Sequence, residues 1–180
     1  MTNKALFLDR DGVINIDHGY VHRVEDFYFI EGIFNLVRLA RLKGYIIIVI
    51  TNQAGIARGY YSESVFLELT KWMCNRFKVE GAFIDKVYFS PYHPDHGLGN
   101  YKKDDVSRKP NPGMLYEAMR DFDIDLQSSV LIGDNLTDIQ AGFSAGVGTK
   151  LYFGNDDISM HNGLGDYMNI SHLSDAVKNL

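Results

Sequence analysis

An α/β fold is predicted for this chain: a three-layer, Rossmann-like parallel sheet with helices on both faces and no large cap domain. Two observations predict it. Apolar runs of strand length alternate with segments of helical periodicity, and several of those runs stop at a hydroxyl or a carboxylate, as in sheets that gather ligands at one edge. A composition of 46% hydrophobic and 23% charged residues over 180 positions suits one core, so residues 1–180 are expected to form a single domain.

Taken in order, strands are expected at 5–8, 45–50, 86–89, 130–132 and 149–153, with helices between them. The first helix, 33–43, carries apolar residues at Ile33, Phe34, Leu36, Val37, Leu39 and Ala40. It stops at Gly44, which can adopt the left-handed cap conformation. Ser62 is the expected N-cap of the second helix, which runs to about Lys78. A third begins near Pro112 and a fourth spans 136–144. Segments 17–28 and 91–111 read as irregular, and loops of that length in a compact domain are usually functional. Neither is large enough to form a separate cap, so access to a site would be open or closed only by these loops and the substrate.

The formal net charge of -5 offers no basic surplus for a nucleic-acid backbone or an anionic membrane, and neither is expected as a partner. The longest wholly apolar run, 45–50, is far short of the roughly 20 residues that span a bilayer. The opening Met1-Thr2-Asn3-Lys4 and the short run behind it do not make a secretion signal. The lone Cys74 has no internal disulfide partner and sits in an amphipathic pattern with Val65, Phe66, Leu69, Trp72, Met73 and Phe77, as a small buried hydrophobe would. A reducing cytoplasm is the expected location.

The chemistry sits at the strand ends. The first strand leads into Asp9-Arg10-Asp11-Gly12, where residues two apart in extended backbone share a side, so Asp9 and Asp11 would face one site with Arg10 turned away. Two close carboxylates do not both ionise readily without a cation. Spacing alone is weak: Asp121-Phe122-Asp123-Ile124-Asp125 has the same pattern and reads as a solvated turn, and it lacks the glycine and glutamate of a calcium loop. Three further elements supply context. The second strand ends at Thr51-Asn52-Gln53, before a Gly-containing loop, Ala54-Gly55-Ile56-Ala57, suited to phosphate oxygens. The fourth ends at Gly133-Asp134, with Asp138 one helical turn on. Arg108-Lys109-Pro110-Asn111-Pro112-Gly113 places two cations before a helix. Acids for a metal, a hydroxyl, a lysine and an exposed carboxylate are the parts of a phosphoryl-transfer site. Neither a Walker-type loop nor a complete Gly-x-Gly-x-x-Gly fingerprint occurs.

On these residues the chain resembles the haloacid dehalogenase superfamily of aspartate-nucleophile phosphatases. Asp9-Arg10-Asp11-Gly12 is similar to its first motif, Thr51 to its second, Lys109 to its third, and Gly133-Asp134 with Asp138 to its fourth. Within it, Asp17-His18-Gly19-Tyr20-Val21, the stretch from Thr51 to Gly59 and the stretch from Arg108 to Met114 resemble bacterial heptose 1,7-bisphosphate phosphatases of the histidinol-phosphatase-like branch.

The resemblance implies a magnesium-dependent enzyme acting on a small phosphorylated sugar, a step toward heptose units of cell-surface polysaccharide; a monomer is expected. It implies Asp9 as nucleophile, Asp11 as acid and base, and Thr51 and Lys109 on the transferring phosphoryl oxygens. Asp9, Asp134 and the backbone carbonyl of Asp11 would hold the metal, with Asn135 and Asp138 behind it. Asp17, His18, Gly19, Tyr20, Asn52, Gln53, Ala54 and Arg108 would recognise the rest of the substrate. Many members carry zinc on three cysteines and a histidine before the third motif, and here those places read Ser90, Tyr92, Asp105 and Ser107, so zinc is not expected. His93 and His96 do not complete such a site. A phosphatase for histidinol phosphate or another small phosphomonoester is the alternative within enzymes, and a catalytically silent phosphate-binding protein the alternative outside them.

Overall fold

The computed structural model describes residues 2–154 and 166–180. Six parallel strands, β1 (Lys4–Leu8), β2 (Tyr45–Asn52), β3 (Lys86–Ser90), β4 (Val130–Gly133), β5 (Thr149–Phe153) and β6 (Met168–Ile170), form one sheet in the order β3-β2-β1-β4-β5-β6. β1 is thus flanked by β2 and β4, with Leu8 level with Val49 on one side and Ile132 on the other. The strand order runs outward in opposite directions from this point, which opens a crevice at the carboxyl ends of β1, β2 and β4.

The period of two along the strands divides the core into two layers. Leu6, Leu8, Ile47, Val49, Val130 and Ile132 pack under α1 (Ile33–Leu42), α3 (Glu63–Val79) and α6 (Leu173–Ala176). Ala5, Phe7, Ile48, Ile50 and Leu131 pack on the opposite face under α4 (Gly113–Phe122) and α5 (Leu136–Ala145). Strands buried on both faces need continuous apolar sequence rather than alternation, and the run from Tyr45 to Ile50 supplies it. The three-layer parallel sheet is therefore as expected.

The helix boundaries follow their capping chemistry. Ser62 accepts a hydrogen bond from Val65 N at 3.3 Å and starts α3. Gly44, at φ 83°, ends α1. Three elements differ from the sequence expectation. Residues 54–57, read as a loop, form the single helical turn α2 (Ala54–Ala57). β6 and α6 were not expected, since each is only three or four residues long and carries no periodic signal. α4 begins directly after its N-cap Pro112, where the third helix was expected to start. Cys74 is half-buried rather than buried, packed against the core beside Trp72, and burial pushes its thiol up. Among the described residues no helix is long and apolar enough to cross a membrane.

Candidate active site

The end of β1 delivers Asp9 into the crevice, and its Oδ1 accepts from Arg10 N at 2.7 Å. Beside it lies Lys109, only 3% exposed, whose Nζ reaches Asp9 Oδ1 at 2.9 Å, Asp138 Oδ1 at 2.5 Å and Ile50 O at 3.0 Å. The lysine stands at the end of an irregular segment, and Asn52 fixes it there. Asn52 Nδ2 donates to Lys109 O at 2.9 Å while Lys109 N donates to Asn52 Oδ1 at 3.0 Å, so this side chain clamps the backbone of 109 to the end of β2.

Asp134 follows β4 and Asp138 sits in the first turn of α5, where its Oδ2 accepts from Asn135 N at 3.0 Å in a capping box. Carboxylate oxygens of Asp9, Asp134 and Asp138 all lie within 4.8 Å of one another. Crowding and burial shift the proton affinities of these groups. Burial pushes Asp9 well above the ordinary carboxylate range against the pull of Lys109, with Asp138 and Asp134 adding to the rise. Burial, then the charge of Asp138, raises Asp134 to about 7. Burial opposes the Lys109 charge, but Asp138 and Asp9 outweigh it and hold the ammonium above its usual value. Three acids against one buried cation leave an excess of negative charge, and the donors are hard oxygens. This set fits a divalent cation of the magnesium type.

Asp11 is held differently. Its Oδ1 accepts from Arg10 Nη2 at 2.6 Å, Arg10 Nε at 3.1 Å and Asn15 Nδ2 at 3.0 Å. Its Oδ2 accepts from Gln53 Nε2 at 3.1 Å, and the same nitrogen donates to Thr51 Oγ1 at 2.9 Å. Arg10 is absent from the cavity lining that Asp9 and Asp11 share, as alternation expects, yet it stays in contact with Asp11. The strand stops at Leu8, and the guanidinium folds back onto Asp11 and Val21 O between the rings of Phe27 and Phe66.

A cavity of about 490 Å³ joins these parts. It is lined by Asp9, Asp11, Thr51, Lys109, Asp134, Asn135 and Asp138, and on the side of the irregular segments by Asp17, Gly19, Tyr20, Asn52, Gln53, Ala54 and Arg108. His18 is not part of this lining and lies exposed, edge-on to Tyr28. Tyr61 and Thr137 also line the cavity and were not singled out from the sequence. Thr137 follows from the geometry of a helix start behind Asp134, and Tyr61 carries no local signal beyond preceding the Ser62 cap. Arg108 donates to Tyr92 O at 3.0 Å, and burial followed by the nearby Arg58 lowers its pKa.

The segment before Lys109 is knit by polar contacts. Ser107 Oγ donates to Asp105 Oδ1 at 2.6 Å and lies 3.0 Å from the fully buried Ser90 Oγ. Lys103 Nζ pairs with Asp105 Oδ2 at 2.8 Å and sits 3.9 Å from the centre of the Tyr92 ring. His93 Nδ1 accepts from the backbone of Asp95 and His96, closing a turn. Among the described residues, the group able to offer three metal ligands is the Asp9, Asp134 and Asp138 cluster.

The HAD-hydrolase-like family profile matches residues 106–156. D-glycero-alpha-D-manno-heptose-1,7-bisphosphate 7-phosphatase of Burkholderia mallei is 58% identical over 159 residues, covering 88% of this chain and 84% of the relative. D-glycero-beta-D-manno-heptose-1,7-bisphosphate 7-phosphatase of Vibrio cholerae is 48% identical, covering 84% and 81%. Among solved structures, D,D-heptose 1,7-bisphosphate phosphatase from B. bronchiseptica, complexed with magnesium and phosphate, superposes with a TM-score of 0.84 at 25% identity, covering 98% of this chain and 97% of the other. The chain belongs to the heptose-1,7-bisphosphate 7-phosphatase family of HAD-like hydrolases.

Proposed function

We propose that residues 1–180 form one cytoplasmic phosphatase domain, active as a monomer, that removes the 7-phosphate of D-glycero-D-manno-heptose 1,7-bisphosphate with magnesium as cofactor. The observation that carries this reading is the position of Asp9, set at a strand end between a buried ammonium and a cluster of acids at the floor of the cavity.

Arg10 N and Lys109 Nζ both meet Asp9 at Oδ1, and Oδ2 is the oxygen that attacks phosphorus. The Asp9 Oδ2–P bond forms as the bond from phosphorus to the sugar oxygen breaks, and Asp11 Oδ2 gives its proton to that oxygen. Water then attacks the aspartyl phosphate, Asp11 takes its proton, and Asp9 is released with phosphate. Thr51 and Lys109 hold the phosphoryl oxygens in a site where fixed charge need not reorganise. Asp9, Asp134 and the backbone carbonyl of Asp11 would hold magnesium, which when bound offsets the negative charge between nucleophile and phosphate. Asp138 and Asn135 support that set from behind, Asp138 also fixing Lys109.

Arg108 supplies a charge for the remainder of the substrate, with Asp17, Gly19, Tyr20, Gln53 and Ala54 lining its path. The test is a substrate panel with magnesium present and absent: heptose 1,7-bisphosphate, histidinol phosphate and other sugar phosphates. The expected result is preferred, magnesium-dependent release from the heptose bisphosphate. Preference for histidinol phosphate would reassign the substrate, and no release from any would remove the enzyme reading.

A further inference from the structure

The side chain that steadies Asp11 is itself steadied by a hydroxyl outside the four motifs. Gln53 is 1% exposed and uses both ends of its amide: Nε2 donates to Asp11 Oδ2 and Thr51 Oγ1, and Oε1 accepts from Tyr61 Oη at 2.7 Å. Tyr61 lies in the turn between α2 and α3, and its ring stacks on His22 with centroids 4.9 Å apart and planes 9° from parallel. Gly55 makes room for it, since a Cβ at that position would run into the Tyr61 ring. Burial, opposed by Arg10, pushes the phenol up to about 12, so it stays protonated and donates.

We infer that Tyr61 is a positioning residue for the phosphoryl transfer, its hydroxyl locking the Gln53 amide so that Nε2, never Oε1, faces Asp11 Oδ2. The inference rests on the reading of Asp11 as acid and base. Oδ1 of Asp11 is taken up by Arg10 and Asn15, so the proton given to the leaving oxygen sits on Oδ2. An amide turned the other way would offer Oε1 as an acceptor to that proton and hold it away from the sugar oxygen. A phenol donating to Oε1 opposes the turn.

The experiment uses the full chain with magnesium and compares wild type, Tyr61→Phe, Gln53→Leu, the double variant and Asp11→Asn. Two substrates are assayed: heptose 1,7-bisphosphate, whose leaving alkoxide needs a proton, and 4-nitrophenyl phosphate, whose leaving phenolate hardly does. Tyr61→Phe is expected to lower kcat/KM for the sugar about tenfold, the scale of one buried hydrogen bond, and to leave the nitrophenyl ester within about twofold. In the Gln53→Leu background the same change should add nothing, because Tyr61 acts through Gln53. Equal losses on both substrates, an unchanged rate on the sugar, or additive losses in the double variant would overturn the role of Tyr61. Full sugar turnover by Asp11→Asn would instead overturn the acid and base reading beneath it, so the two failures are told apart.

Discussion

Lys109 and the acids around it form a balance that is stable only as a whole. The ammonium is buried between Asp9 and Asp138, and truncating it leaves carboxylates unpaired in a site that already disfavours their charge. Lys109→Ala should therefore lower the rate by several orders of magnitude and, in urea unfolding of the metal-free protein at neutral pH, cost about 3–5 kcal/mol. An unchanged rate would remove Lys109 from the site. The raised Asp134 value gives a second expectation. The folded chain binds this proton more tightly than the unfolded one, so metal-free stability from this group is full below the ordinary carboxylate range and is lost as pH rises from there through about 7. Magnesium held by Asp134, as proposed, would compete with that proton, and thermal melts should show a larger magnesium-induced rise in Tm at pH 8 than at pH 5; equal rises would contradict the cluster as the metal site. The sequence marked Asp9, Asp11, Thr51, Lys109 and Asp134 because each stands at or beside an element end. It could not mark Arg10, whose contact with Asp11 is set beyond the end of the strand, or Tyr61, which reaches the site only through Gln53.

At the scale of elements, turns and short segments position the site. Gly12 has φ 88°, a region that favours glycine, and a Cβ there would strike the Asp134 carboxylate. Gly12→Ala should raise the magnesium concentration for half-maximal activity about tenfold or more while the protein still folds, as a magnesium titration of the rate would show. The 91–111 segment is held to the sheet by Ser90, Asp105 and Ser107 and to α3 by the bond from Tyr101 to Glu63. Asp105→Ala removes the acceptor shared by Ser107 and Lys103, and its main effect should be a higher KM for the bisphosphate, through Arg108 three residues on, with kcat little changed. A fall confined to kcat would contradict that. These contacts join side chains far apart in sequence, which is why motif reading found the segment but not what holds it. The single turn of α2 escaped for a related reason: four residues are too few to show a period.

For the molecule as a whole, the order β3-β2-β1-β4-β5-β6 explains why residues from 9 to 138 meet at one place. Apolar runs buried on both faces could be read directly as a parallel sheet, and the crevice beside β1 follows from the connectivity. β6 was not legible, because its three residues belong to the sheet through pairing with Phe153 and its neighbours rather than through any pattern of their own. We read this crevice as a phosphatase site built on Asp9. The most direct test of that reading is phosphate release from heptose 1,7-bisphosphate in magnesium by the wild-type chain and by Asp9→Asn, each checked for folding by thermal melting. Rapid release by the wild type and none by a folded Asp9→Asn is the predicted result; release at the wild-type rate by Asp9→Asn would contradict it.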